Sequence, residues 1–212
     1  MRVLKQRTGK VARLGQVARM GLGLGLAMAA TAHAEGIFDR AHFVNSGSFA
    51  IGIEPEVVFS NPATVGAQVH YRHGIDDLIN VFAAAGFVSD PRMFRAGGGV
   101  LFDFFPDVEG QPGIGIATHG FVYQQQPSVL LELAAIPYIH KSFKTGGGHE
   151  IEPFVALPFG VNYFEREFLP TFTVTVGTYY SPIEHFRFTF ELGVAVNNAS
   201  SHIAGGVTYF YR

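Results

Sequence analysis

Acidic residues occur in pairs two positions apart at two places in the chain. Glu54 and Glu56 form one pair, and Glu150 and Glu152 form the other. Because alternate residues of a β-strand point to the same face, each pair would bring two carboxylates together. Such a cluster can serve as a catalytic acid and base, line a path for cations, or belong to a salt-bridge network. Buried charges must be paired, so we favour the network.

Other ionisable side chains of both signs are expected on the same face as these carboxylates. Next-but-one spacing along β-strands would place these side chains in one polar network. We predict that it consists of Glu54, Glu56, His70, Arg72, Arg95, Asp103, Glu132, His140, Glu150, Glu152, Arg187 and Glu191.

Motifs for metal, nucleotide or nucleophilic chemistry are not found in the sequence. The histidines form no pair at metal-ligand spacing, and the chain has no cysteine. No Gly-x-Ser-x-Gly motif occurs, and the glycine triplets at 97–99 and 146–148 lack the Lys-Ser/Thr of a phosphate-binding loop. We therefore predict no metal, no cofactor, no catalytic residue and no enzymatic activity.

The elements that must position the polar residues are β-strands. Apolar and polar residues alternate with period two almost throughout the chain after residue 48, and short turn-type segments separate the alternating stretches. The pattern predicts an all-β protein, a closed antiparallel up-and-down transmembrane β-barrel. We predict about ten strands, with eight or twelve as alternatives: 48–59, 63–72, 78–88, 94–104, 113–124, 129–143, 150–164, 171–180, 186–197 and 202–212.

Prolines make two of these strands the least regular. Pro137 falls in the sixth predicted strand, Pro153 and Pro158 in the seventh, and Pro55 in the first. Proline removes a backbone donor from the strand ladder. A bulge or an irregular wall is expected around strands six and seven.

The direction in which the apolar face points decides between a soluble and a membrane barrel. In a membrane barrel the bulky apolar residues face outward and the polar ones line the lumen. Most predicted strands have 10 or more residues, which suits the ~9 to 11 residues of a tilted membrane-crossing strand. We predict that Phe188, near mid-strand, faces lipid and that Thr189 faces the lumen. The full lipid-facing set of this strand is Phe186, Phe188, Phe190, Leu192 and Val194.

In four of the even-numbered predicted strands, the last outward-facing residue at the carboxyl end is aromatic. In an up-and-down barrel these strand ends lie on one rim, where aromatic girdles meet the membrane interface. The predicted girdle consists of Tyr71, Phe104, Tyr180 and Tyr211.

The amino terminus has the pattern of a secretory signal. Six basic residues precede the apolar run "GLGLGLAMAATAHA", which ends in a small-x-small site. We predict cleavage after Ala34, a short periplasmic segment over 35–47, and a barrel over 48–212. The mature chain would keep nine basic and 17 acidic residues, a formal charge of −8. This balance argues against a nucleic-acid partner.

The chain resembles the small bacterial outer-membrane β-barrels in its turns "YRHGIDDLINV" and "YYSPIEHFRF" and its last strand "GGVTYFYR". In that family the last strand carries an assembly signal, which Gly206, Tyr209 and Tyr211 match. Arg212 departs from the family, since an aromatic usually ends the chain. The resemblance implies a place in the bacterial outer membrane, contact with its lipid, and transit partners among the periplasmic chaperones and the barrel-assembly machinery. It predicts no oligomeric state.

Three classes of function remain open on the sequence. We favour a structural envelope barrel or a narrow passive channel for small ions and solutes, because no active site is recognisable. The alternative is an outer-membrane lipid hydrolase, acyltransferase or protease in which Asp90, His119 and Ser128 or similar residues converge near the rim. An adhesin or receptor is the third class, and the short outer turns argue against it.

Overall fold

The computed structural model describes residues 44–59, 63–89, 92–125 and 128–211. These residues form an all-β fold with twelve strands. None of the described residues belongs to a helix long and apolar enough to cross a membrane. The strands are β1 (Phe49–Phe59), β2 (Thr64–Gly74), β3 (Ile79–Val88), β4 (Arg92–Phe105), β5 (Gly113–Gln125), β6 (Ser128–His140), β7 (Phe143–Lys144), β8 (Glu150–Ala156), β9 (Phe159–Phe164), β10 (Glu167–Ile183), β11 (Phe186–Asn197) and β12 (Ser201–Tyr211).

The strands close into an antiparallel up-and-down barrel. Each long strand pairs with its neighbours in the chain, and β12 pairs with β1 to close the ring. β8 and β9 lie end to end between β6 and β10, so they fill one place in the wall, and the two-residue β7 extends from β8. The wall therefore has ten strands, which confirms the predicted fold class and strand number.

The wall is irregular where proline interrupts it. The predicted strand 150–164 divides at Leu157 and Pro158 into β8 and β9. The pairing of β1 with β12 is also interrupted, between Ile53 and Glu56, on either side of Pro55. Proline has no N–H to donate, so each of these positions loses a ladder hydrogen bond, although the pairing of β1 with β2 continues through Pro55.

The two ends of the barrel differ in what they carry. One end, which we call the terminal rim, holds the beginning of β1 and the end of β12. The connections after β2, β4, β6 and β10 lie at the same end. We call the other end the opposite rim. A segment before β1 lies against the terminal rim. The backbone N–H of Val44 donates to Oδ1 of Asn80 at 2.6 Å, and Val44 packs with Ala50 and Phe210. This contact ties residue 44, which belongs to the predicted segment 35–47, to the barrel.

Candidate functional site

The inward faces of the strands carry a dense set of polar side chains. Of the twelve residues of the predicted lumen network, eleven are buried in the barrel. Glu150 is half-buried at the first residue of β8, on the terminal rim, where the Ser142 hydroxyl donates to its carboxylate. The structure thus brings the carboxylates and their cationic neighbours into one interior. The proposed roles of these residues stay predictions.

Four glutamates in the barrel each lie beside a histidine of the adjacent wall strand. Three of these pairs share a hydrogen bond, and Glu54 and His70 lie within ion-pair distance. The nitrogen to oxygen distances are 3.0 Å for His70 and Glu54, 2.9 Å for His119 and Glu132, 2.7 Å for His140 and Glu152, and 2.6 Å for His202 and Glu191. Histidine therefore provides a direct partner for each of these four glutamates.

One ion pair crosses the interior between strands that are not neighbours. Nη1 of Arg95 on β4 donates to Oε1 of Glu56 on β1 at 2.7 Å, and both side chains are almost fully buried. β2 and β3 lie between these two strands in the wall. The bond therefore connects separate parts of the wall through the interior.

Arg187 lies among aromatic rings. Its Nε donates to the Ser181 hydroxyl at 3.0 Å, and its guanidinium carbon lies 5.5 Å from the ring centre of Tyr179 and 4.9 Å from that of Phe210. Such cation–π contacts stabilise an arginine in a poorly hydrated place. Glu191, which we expected to join a charge network with Arg187, shares a hydrogen bond with His202.

Inward glycines make room for the large side chains that fill the barrel. In six cross-strand pairs a glycine lies directly opposite a ring: Gly52 and His70, Gly97 and Phe121, Gly113 and His140, Gly115 and Tyr138, Gly177 and Phe154, and Gly193 and His202. A Cβ placed on any of these glycines would lie between 2.0 and 2.5 Å from the ring side chain opposite. The small residues between the charged ones are therefore a packing requirement.

Alanine at Gly193 should be costly for this reason. Its Cβ would lie 2.0 Å from Cε1 of His202, so the ring must move and its bond to Glu191 must lengthen. Overpacking of this kind costs about 1–3 kcal/mol. Gly205 is the matched control, because a Cβ there meets only an ordinary contact at 3.5 Å. Denaturant titration of Gly193→Ala and Gly205→Ala in lipid should show a loss for the first variant only, and equal stabilities would contradict the packing argument.

Sequence analysis did not identify several polar residues that complete the interior. Thr208 lies 3.3 Å from Nε2 of His70, and the Tyr123 hydroxyl donates to Glu132 at 3.3 Å. Gln68, which the sequence does place on the inward parity, donates to Glu54. Asn80 holds the backbone of Val44. These residues have inward parity, and that parity was the signal that could have found them.

The outward faces are apolar along most of the wall, with exceptions such as Thr118 and Gln124 on β5. Phe188 is 49% exposed and Thr189 8% exposed, so the two residues point to opposite sides. Phe188 is, however, the third residue of β11 and lies near the terminal rim, not at mid-strand as we expected. The boundaries of the predicted strand were right, but the middle of β11 falls nearer to Leu192. The other members of the predicted lipid-facing set, Phe186, Phe190, Leu192 and Val194, are also exposed.

Exposed aromatic residues surround both ends of the barrel. At the terminal rim lie the four residues of the predicted girdle, Tyr71, Phe104, Tyr180 and Tyr211. Phe49 stacks on Tyr211 with ring centres 4.5 Å apart, where the first strand meets the last. A second ring of exposed aromatics, not identified from the sequence, lies at the opposite rim: Phe59, Phe87, Phe94, Tyr163 and Phe168.

The residues of the enzyme alternative are not assembled in the described part of the chain. His119 is buried and bonded to Glu132, and Ser128 is half-buried at the first residue of β6. Asp90 lies outside the described residues, as do the predicted cleavage site and Arg212. Within residues 44–59, 63–89, 92–125 and 128–211, no group of three or more His, Cys, Asp or Glu side chains could hold a metal ion.

Comparison with known proteins identifies the fold. No protein-family model matches the sequence, and no curated protein is similar enough to match it. An outer membrane channel from Pseudomonas putida F1 has a TM-score of 0.51 at 6% identity, over 84% of this chain and 100% of that chain. The β domain of the Bordetella autotransporter BrkA has a TM-score of 0.49 at 7% identity, over 80% of this chain and 100% of that chain. The Pseudomonas similarity shows the fold alone: this chain has the fold of a bacterial outer-membrane β-barrel.

Proposed function

We propose that the protein resides in the bacterial outer membrane as a barrel whose interior is closed by its own side chains, and that it passes at most small ions. The exposed fractions of inward-facing residues carry this proposal. Arg72 is 1% exposed and Arg95 2% exposed, whereas a water-filled pore would leave long charged side chains accessible. Barrels of about eight strands are filled by side chains, and open aqueous channels have ~16 to 18 strands. A ten-stranded wall is much closer in size to the filled eight-stranded barrels than to the open channels.

Membrane insertion is supported by the surface of the barrel. Bulky apolar residues cover the outward face and exposed aromatic residues surround both rims, as in barrels that span a bilayer. The signal sequence, the cleavage after Ala34 and the assembly signal of Gly206, Tyr209 and Tyr211 complete the proposed route to the outer membrane. The partners on that route would be periplasmic chaperones and the barrel-assembly machinery.

Conductance in a planar bilayer tests the closed interior. The refolded protein should show only small or brief current steps. Replacing Glu56 and Arg95 together by alanine should raise the conductance, because it removes two long side chains that meet across the interior. The matched control is Arg166→Ala with Glu167→Ala, which removes the same charges from an exposed turn and strand end. Large, steady currents from the unmutated protein would instead indicate an open porin.

We also propose that the barrel catalyses no reaction. The support is geometric: among the described residues, the histidine and the serine of the enzyme alternative do not form a site. Hydrolysis of lipid or peptide by the purified protein, lost on substitution of a buried histidine, would overturn this proposal.

A further inference from the structure

A cavity of about 490 Å³ opens at the terminal rim. It lies between the ends of β4, β6, β8, β10 and β11 and is bordered by Val44. Five carboxylates and only two lysine or arginine side chains line it. A surplus of carboxylates alone does not define a binding site. What the cavity can bind depends on which of its polar atoms already have a hydrogen-bond partner within the protein.

Most of these carboxylates are paired within the protein. Asp107 bonds to Nζ of Lys141 at 2.5 Å, Glu150 accepts from Ser142, and Glu152 lies 2.7 Å from Nδ1 of His140. Asp103 differs, because it is only 7% exposed and its Oδ1 has no hydrogen-bond partner among the described residues. A buried carboxylate oxygen without a donor is unfavourable unless something else provides one.

Two more buried polar atoms without partners lie on the same side of the barrel. The register places Asp103 opposite Gly115 and Gly115 opposite Tyr138. Gly115 has no side chain, so the Tyr138 hydroxyl lies directly over it, where a Cβ would be 2.3 Å away. That hydroxyl, which lies beside the cavity and not in its lining, and Nε2 of His140, which belongs to the lining, have no hydrogen-bond partner in the part of the chain that the structure describes.

The three atoms have a common chemistry. When Nδ1 of His140 donates to Glu152, the neutral ring leaves Nε2 as an acceptor. The Asp103 carboxylate is also an acceptor, and the Tyr138 hydroxyl can accept as well as donate. These three atoms therefore receive no N–H donor from the described residues, and the five carboxylates of the lining outnumber Lys144 and Arg187.

We propose that this cavity binds a small organic cation with N–H donors, an alkylammonium compound, and that its ammonium group lies against Asp103. The cavity has the size of small-molecule sites, which span about 300–1,000 Å³. An ammonium group offers three donors and a charge, and so meets both requirements at once. A metal ion does not fit, since the described residues contain no set of three ligands.

Isothermal titration of the full refolded protein in detergent micelles tests the proposal, with putrescine as the probe. Putrescine should bind saturably, and 1,4-butanediol, which has the same length without charge, should not. Asp103→Asn should weaken binding roughly 10-fold or more, because it removes the charged acceptor of the ammonium group. Tyr138→Phe should weaken it less. The control is Glu109→Gln, which removes an exposed carboxylate from the β4–β5 turn outside the cavity and should bind as the unmutated protein does.

Equal affinity of the unmutated protein and Asp103→Asn would overturn the proposal. So would equal competition by Mg²⁺ at matched ionic strength, because binding would then be a general effect of negative charge. If Asp103→Asn fails to fold by circular dichroism, Tyr138→Phe decides, since it keeps the ring over Gly115 and removes only the hydroxyl. Unchanged affinity in that variant would also refute the site. None of these results depends on conductance, so the proposed function is tested separately.

Discussion

Replacing Arg95 by methionine is expected to lower the free energy of unfolding by about 3–5 kcal/mol. The substitution leaves Glu56 in the barrel interior without the guanidinium that lies 2.7 Å from it, and an uncompensated buried charge is among the most costly defects. Denaturant titration of the protein refolded in lipid measures the loss. Because the chain has no tryptophan, circular dichroism or electrophoretic mobility should be used to follow unfolding.

Two further variants distinguish the effect of breaking the Glu56–Arg95 ion pair from the effect of removing a positive charge. Glu56→Leu combined with Arg95→Met removes both partners and should regain most of the lost stability, because a buried ion pair replaced by apolar residues is often neutral. Lys144→Met removes an exposed positive charge at the terminal rim and should change stability by no more than about 0.5 kcal/mol. If the double variant is no more stable than Arg95→Met, the Glu56–Arg95 bond is not the reason for the loss.

Arginine at Phe190 is expected to cost about 2–4 kcal/mol, and arginine at Phe186 only about 0–1 kcal/mol. Both residues are exposed on the outward face of β11, but Phe190 is the fifth residue of that strand and Phe186 the first. In a bilayer the cost of a charge is greatest near the midplane and falls toward the interface. The two variants replace the same residue type, so depth is the main difference between them.

Stability measured in lipid vesicles checks this depth dependence. A large loss for Phe190→Arg beside a small loss for Phe186→Arg would support a membrane-spanning wall. Similar small costs at both positions would mean that the outward face meets water, and the proposal of an outer-membrane location would have to be abandoned.

The sequence by itself determined the strands and which side chains share a face. The predicted strand 186–197 has the same limits as β11, because the alternation of residues such as Phe190 and Glu191 is a local pattern that does not depend on the rest of the chain. The predicted girdle residues lie on one rim for the same reason, since strand order and direction follow from short connections. The broken strand at Pro158 was also predictable, from the missing N–H of proline.

Only the tertiary structure decided which polar groups meet. Glu191 lies beside His202 and Arg187 lies between Tyr179 and Phe210, and no local pattern distinguishes these contacts from others on the same face. Cross-strand neighbours depend on register, and a shift of register would give every side chain a different partner. Contacts through the interior, such as that of Glu56 with Arg95, depend further on closure of the wall into a ring.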